Sequence, residues 1–193
     1  MSSFYEELEK RGEELGMARE EMALYAAKRQ GEFTVEDYRR LPDEVRAELI
    51  DGELIYMEAP GYTHQELIME LSVELVNYIR ANKGSCRVVQ FPLDVQLDCD
   101  DRTMVQPDLC IEILSPSTRK KDCTLKVQKY MNAGVREYWI VDPDKKAVIT
   151  YRFEGEDIPG ISMYTFQDKV PVGIFEGSLE IDFREISGRL RFC

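Results

Sequence analysis

Residues 109–114, Leu-Cys-Ile-Glu-Ile-Leu, form an apolar run broken only by Glu112, and no other feature constrains the fold as tightly. A short continuous run of this kind suits a strand buried on both faces, the central strand of a layered sheet. A carboxylate in the middle of such a strand is costly unless it is paired, hydrogen-bonded or bound to a cation. On residue type alone, two readings of Glu112 weigh the same. It is a structural carboxylate satisfied by a nearby Arg or Lys, or it is a group that does chemistry.

The segments around the run set the fold class. After Ser115-Pro116-Ser117-Thr118 the pattern predicts a helix to about residue 133, ended by Gly134. Residues 136–141 then read as a strand, 143–146 as a turn and 147–153 as its return. Upstream, Asp51-Gly52 separates two apolar stretches, the signature of a two-residue hairpin turn. Thr34 and Asp37 fit a capping box for a short helix that ends before Pro42. Residues 64–82 predict a longer helix, with Thr63 as cap, Lys83-Gly84 as stop, and Leu67, Ile68, Leu71, Leu75, Val76 and Ile79 as one buried stripe. Residues 86–91 and 93–97 are strand-like with a bend at Pro92, and short strands are expected near 163–164 and 179–183. The first 30 residues carry an amphipathic pattern, weakened by Gly12 and Gly16. The expected organisation is a helical extension over residues 1–32 followed by an α/β domain over 33–193. Its architecture is a mixed sheet flanked by helices, not a bundle or sandwich.

Composition narrows the function classes. At 193 residues, with 44% hydrophobic and 32% charged residues, the chain has the balance of a globular domain. No apolar run is long enough to span a bilayer. The acidic N-terminus does not resemble a signal peptide, and five singly scattered cysteines point to free thiols in a reducing cytoplasm. With one histidine and no cysteine pair, a structural zinc site is not expected. The net charge of −12 runs against a general phosphate-binding surface. A local exception follows Glu112, where Arg119, Lys120, Lys121, Lys126 and Lys129 cluster. That cluster reads either as a solvated helix face or as a partner for phosphate. Phosphodiester hydrolysis needs carboxylates for Mg²⁺, an attacking water and a cation on the phosphate, and Glu112 with Lys126 would supply two of these parts. Ser115, Ser117 and Cys110 have no neighbouring histidine in the motif, and no glycine-rich phosphate loop occurs. Tyr138 and Trp139 read as strand packing and not as a base-stacking platform.

Several motifs fall in an order that resembles one family. Gln106-Pro107-Asp108, Ile111-Glu112-Ile113-Leu114-Ser115-Pro116-Ser117-Thr118, Lys126, Tyr130, Ala133-Gly134-Val135-Arg136-Glu137-Tyr138-Trp139 and Val141-Asp142-Pro143 resemble the Uma-two family of restriction endonucleases. Glu48 to Glu53 and His64 also fit its pattern, and the likeness spans roughly residues 33–153. The resemblance implies the PD-(D/E)XK nuclease fold, Mg²⁺ or Mn²⁺ as cofactor and DNA as substrate. It casts Asp108 and Glu112 as metal-binding carboxylates and gives Glu48 and His64 accessory positions, Glu48 as a further metal ligand. Taken alone, His64 reads more readily as a helix-face residue making a structural hydrogen bond. The lysine of the motif should stand two residues after Glu112, where this chain has Leu114, so Lys126 is its candidate replacement. By analogy with nucleases of this fold, a homodimer is expected.

One departure bears on activity. In the resembling family the two acidic strands are separate, whereas here Asp108 and Glu112 stand only four residues apart. On one extended strand their Cα atoms would lie about 13 Å apart. Oxygens that share one Mg²⁺ must sit about 2.1 Å from it. Either Asp108 matches a second, non-ligating Pro-Asp and the missing ligand is one of Asp94, Asp98, Asp100 or Asp101, or metal binding is impaired. Reduced or absent activity is the expectation, and a non-catalytic protein-interaction module of nuclease ancestry is the alternative function.

Overall fold

The computed structural model of the chain describes residues 27–42, 45–57, 59–90, 107–115, 119–153 and 159–191. They fall into two compact units, Met1–Ala59 and Pro60–Cys193. The helix expected over the first 30 residues lies mostly outside the described residues, and residues 27–32 form turns without a helix.

In the first unit, helix α1 (Val35–Arg39) starts on the capping box read from the sequence. Thr34 accepts from the Asp37 amide, and Asp37 Oδ2 accepts from the Thr34 amide at 2.7 Å. Lys28 Nζ donates to the same Asp37 oxygen at 2.6 Å, and this bond does most to hold the carboxyl down at about 2. Strands β1 (Ala47–Ile50) and β2 (Glu53–Tyr56) form the expected antiparallel hairpin. Its turn residues have φ of 51° at Asp51 and 75° at Gly52, the two positive values that a type I′ turn requires. Phe33, Ala47 and Leu54 make the core of this unit.

Gly52 is doubly constrained. Its carbonyl accepts from the amides of Gly31 and Phe33, and a Cβ on it would lie 2.4 Å from the Gly31 carbonyl oxygen. Gly52→Ala is therefore expected to cost more than the roughly 1–2 kcal/mol of left-handed backbone strain alone. Urea melts followed by circular dichroism would measure this, and a neutral substitution would contradict the close approach.

In the second unit, helix α2 (Tyr62–Ala81) buries Leu67, Leu71, Leu75 and Ile79, one residue per turn along the predicted stripe. The cap is Gly61, not Thr63 as expected, and Thr63 Oγ1 donates to the Arg191 carbonyl at 3.2 Å instead. Lys83, not Gly84, takes the left-handed position at the C-terminus (φ 54°). The amides of Gly84 and Lys83 bond back to the carbonyls of Ile79 and Arg80, which completes a Schellman stop. Residues 86–90, read as strand-like, are not in a strand, and 91–106 lie outside the described residues.

The main sheet has four strands in the order β3-β4-β5-β6: β3 (Leu109–Ile113), β4 (Glu137–Asp142), β5 (Ala147–Arg152) and β6 (Gly160–Thr165). The first pair is parallel and the other two are antiparallel, so the sheet is mixed. Among the described residues β3 pairs with β4 alone. The fully buried strand is β4, every residue of which is buried.

Helices cover both faces. Ile113, Trp139 and Val141 pack with Leu67, Leu71 and Leu75 of α2 on one side. That layer also includes β7 (Lys169–Pro171), β8 (Glu180–Asp182) and α5 (Phe183–Arg189). Tyr138, Ile140 and Leu114 face Val127 and Tyr130 on the other side. The single helix expected after residue 118 is two, α3 (Arg119–Asp122) and α4 (Leu125–Asn132). Tyr138 Oη donates to the Asp122 carbonyl at 3.1 Å, the oxygen that a continuous helix would have offered to the Lys126 amide. Gly134 (φ 79°) ends α4 as predicted. Residues 179–183 are strand only to Asp182, whose side chain caps α5 by accepting from the Arg184 amide. No helix among the described residues is long and apolar enough to cross a membrane.

Candidate functional site

Alternation along β3 puts Ile111 and Ile113 on the α2 side and Glu112 on the side of α4. There Glu112 Oε1 accepts from Lys126 Nζ at 3.0 Å and from Tyr130 Oη at 2.7 Å. Lys126 Nζ also lies 3.0 Å from Asp122 Oδ1. Residues 122, 126 and 130 recur every four positions, so one row of side chains descends α3 and α4 toward the strand. The cluster is well shielded, with side-chain exposures of 7% for Lys126, 1% for Asp122 and 26% for Glu112. The cost of a carboxylate in an apolar strand is thus met by a buried ammonium and a phenol.

Burial, and then the charge of Glu112, push the Tyr130 phenol far above its ordinary pKa, so it donates as a neutral hydroxyl. Tyr138 is raised for the same two reasons. Burial also lifts the Cys110 thiol to about 12 and raises Cys123, which leaves both in the thiol form at neutral pH. Both donors to Glu112 fall on Oε1, and no described residue donates to Oε2.

The other sequence candidates separate. His64, in the first turn of α2, places Nε2 2.9 Å from the Ile113 carbonyl oxygen, which assigns the ring proton to Nε2. Its Nδ1 is buried without a partner among the described residues. Burial lowers the His64 pKa against the opposing effects of the Ile113 bond and the charges of Glu112 and Asp122. Asp108 sits just before β3, exposed, with Arg136 Nη1 at 3.3 Å from its Oδ1. Its carbonyl accepts from the amides of Arg136 and Glu137, so it serves as the start of the parallel pairing. Glu48 stands on β1 opposite Ile55 in the first unit. Asp94, Asp98, Asp100 and Asp101 lie outside the described residues.

The structure thus joins Glu112 to Lys126 and leaves Asp108 apart. Among the described residues, no group of three or more His, Cys, Asp or Glu side chains is placed to hold a metal. Mg²⁺ seeks near-octahedral oxygen ligation. Glu112 Oε2 answers that need, but Asp122 is engaged by Lys126 and Asp108 by Arg136. The described carboxylates therefore do not fit a divalent metal centre.

Sequence reasoning missed Asp122 and gave Tyr130 no role beyond its place in a motif. The four-residue spacing of 122, 126 and 130 was the available signal. It also missed the clamp behind the site, where Arg119 donates through Nη1 and Nη2 to the two carboxylate oxygens of Asp142 and at 3.0 Å to Asp144. Burial raises the Asp142 carboxyl, but the bonds from Arg119 and the Lys145 amide together hold it below its usual range.

Comparison with known proteins agrees with this layout. The model of the Uma2 family, described as "Putative restriction endonuclease", matches residues 35–110 and 95–183. The chain belongs to the Uma2 family. The two matched ranges of this Uma2 chain overlap on residues 95–110. Among solved structures, it is similar to the crystal structure of "a putative nuclease belonging to DUF820" from Anabaena variabilis. The TM-score is 0.60 at 21% identity, over 81% of this chain and 98% of that one. The fold is therefore nuclease-like, a mixed sheet flanked by helices. No curated protein gave a significant sequence match.

Proposed function

We propose that this Uma2 chain is a DNA endonuclease of the PD-(D/E)XK kind, hydrolysing phosphodiesters at the Glu112–Lys126 pair with a low turnover. The observation that carries this reading is the 3.0 Å approach of Lys126 Nζ to Glu112. It supports Lys126 as the stand-in for the motif lysine that Leu114 replaces. Glu112 presents Oε2, which meets no donor among the described residues, to water, while Lys126 offsets charge developing on the scissile phosphate. In sequence, Arg119, Lys120, Lys121 and Lys129 make a local basic segment in an otherwise acidic chain, of which Arg119 is held by Asp142 and Asp144.

Mg²⁺ or Mn²⁺ is the cofactor such hydrolysis calls for, because a divalent ion polarises phosphate and acidifies bound water. The roles given to Glu112 and Lys126 do not depend on where that ion binds. Asp108 and His64 remain accessory candidates, His64 by fixing the end of β3 through its bond to Ile113. A homodimer and a cytoplasmic location belong to the same reading.

Cleavage of supercoiled and single-stranded DNA in Mg²⁺ and Mn²⁺ tests it. Glu112→Gln and Lys126→Ala are each expected to lower the rate about a hundredfold or more, with folding checked by circular dichroism. Equal cleavage by all three proteins would remove the site. A second reading, a non-catalytic interaction module of nuclease ancestry, is favoured by one observation: two carboxylates already take up the charge of Lys126. A folded wild type that cuts neither substrate would select it.

A further inference from the structure

We infer that the ammonium of Lys126 occupies the seat of a divalent cation in this site, so that the cluster is closed to metal until Lys126 leaves it. The inference rests on the reading of Glu112 as the acidic residue of the nuclease site, and it explains why the described carboxylates fail to make a cage.

Within the second unit, Glu112 from β3 and Asp122 from α3 bring their oxygens to the same ammonium. Each lies 3.0 Å from Lys126 Nζ, so the two oxygens are no more than twice that distance apart. A magnesium ion shared by the same oxygens would need each at about 2.1 Å. Small side-chain rotations would draw them onto such an ion once the ammonium had gone. What meets them instead is a compact, hydrated-type charge on a flexible stem, the amino-acid group closest in character to a small hard cation.

The surroundings support a seat that is filled and not merely crowded. Asp122 is almost fully buried, and a buried carboxylate persists only when something cationic or donating meets it. Lys126 meets both acids at once, and Tyr130 supplies a further donor to Glu112. The acid that the family pattern would pair with Glu112 has moved off, since Asp108 points to Arg136. A chain that had lost a metal ligand would face two unneutralised carboxylates. A lysine on the adjoining helix, four residues after Asp122, removes that cost without an ion.

A dication brought to the cluster would meet a positive charge already shared by the two acids, and like charges at such range oppose binding strongly. Calorimetric titration with Mn²⁺ therefore distinguishes the proteins. Wild type is expected to show no saturable Mn²⁺ binding at low millimolar ion that Glu112→Gln removes. Lys126→Met, which keeps the volume of the stem and removes the charge, is expected to bind one Mn²⁺ at least about tenfold more tightly than wild type. Mn²⁺ should also raise its melting temperature. Adding Asp122→Asn to Lys126→Met should abolish both gains.

Two results would overturn the inference. One is tight, stoichiometric Mn²⁺ binding by wild type that Glu112→Gln removes. The other is a folded Lys126→Met protein that binds Mn²⁺ no better than wild type. If Lys126→Met does not fold even with Mn²⁺ present, wild type still decides. Paramagnetic broadening by Mn²⁺ confined to the Glu112, Ile113 and Tyr130 amides at micromolar ion would refute it, and unbroadened signals would uphold it. The cleavage assay answers a separate question. A chain that never cuts DNA yet shows the expected Mn²⁺ pattern would lose its proposed activity and keep the closed seat.

Discussion

Lys126→Ala is expected to destabilise the second unit by about 3 kcal/mol, more than the loss of either carboxylate it serves. Removing one member of a buried ion pair leaves the other charged and unmatched, at a typical cost of roughly 3–5 kcal/mol. The lower end applies because Glu112 keeps 26% side-chain exposure and regains water, whereas Asp122 at 1% does not. Glu112→Ala should cost about 1 kcal/mol, since Lys126 retains Asp122 and Tyr130 loses one acceptor. The order of effects on stability thus places lysine first. Urea denaturation of the two single variants and of Glu112→Gln/Asp122→Asn/Lys126→Met measures it. The triple variant removes all three charges together and should recover most of the loss. If Lys126→Ala melted like wild type, the carboxylates would have to be solvated, and the cluster would not be a closed unit.

How much of this was legible depended on how local the cause was. The Asp51-Gly52 turn, the Thr34–Asp37 capping box and the stripe on α2 follow from neighbouring residues, and each stands where the sequence put it. Non-local causes were opaque. The apolar run at 109–114 marked a buried strand but not its partners. The described partner is β4, joined through a parallel pairing that begins at Asp108. The break between α3 and α4 has a similar origin. No residue at 122–125 is a helix breaker, and the carbonyl of Asp122 is captured by Tyr138 from the next strand. At Thr63 a good capping residue was available, yet a contact with Arg191 took its hydroxyl.

The site divides along the same line. A lone carboxylate within an apolar strand announces Glu112 by its cost, and the family motifs point to Lys126. Asp122 carries no such signal, because a helical Asp followed four residues later by Lys is an ordinary solvated pair on most surfaces. Only the packing of that pair against β3 turns it into a buried group facing Glu112. The separation of Asp108 from Glu112 was readable from their spacing alone, because a strand extends about 3.3 Å per residue whatever else surrounds it.

The second large effect is expected at Glu137, which the motif analysis named without giving it a role. Its carboxylate is 1% exposed. It accepts from Trp139 Nε1 at 2.7 Å and from the amides of Gly173 and Ile174 at 3.0 and 2.8 Å. Two of those donors open the 3₁₀ turn Gly173–Phe175, so one side chain ties the central strand to the segment joining β7 and β8. Glu137→Ala would strand three donors, each costing about 1–3 kcal/mol when buried unpaired, and a loss of about 4 kcal/mol is expected. Glu137→Gln keeps one acceptor oxygen and the shape, and should recover about half. Trp139 is the only tryptophan in the chain, so its emission reports on this bond directly. In urea melts followed by that emission, Glu137→Ala should unfold first and Glu137→Gln between it and wild type. If Glu137→Ala fell within 1 kcal/mol of wild type with unchanged emission, the donors would have found water. The turn at Gly173 would then owe its place to the apolar packing of Val170, Val172 and Ile181 alone.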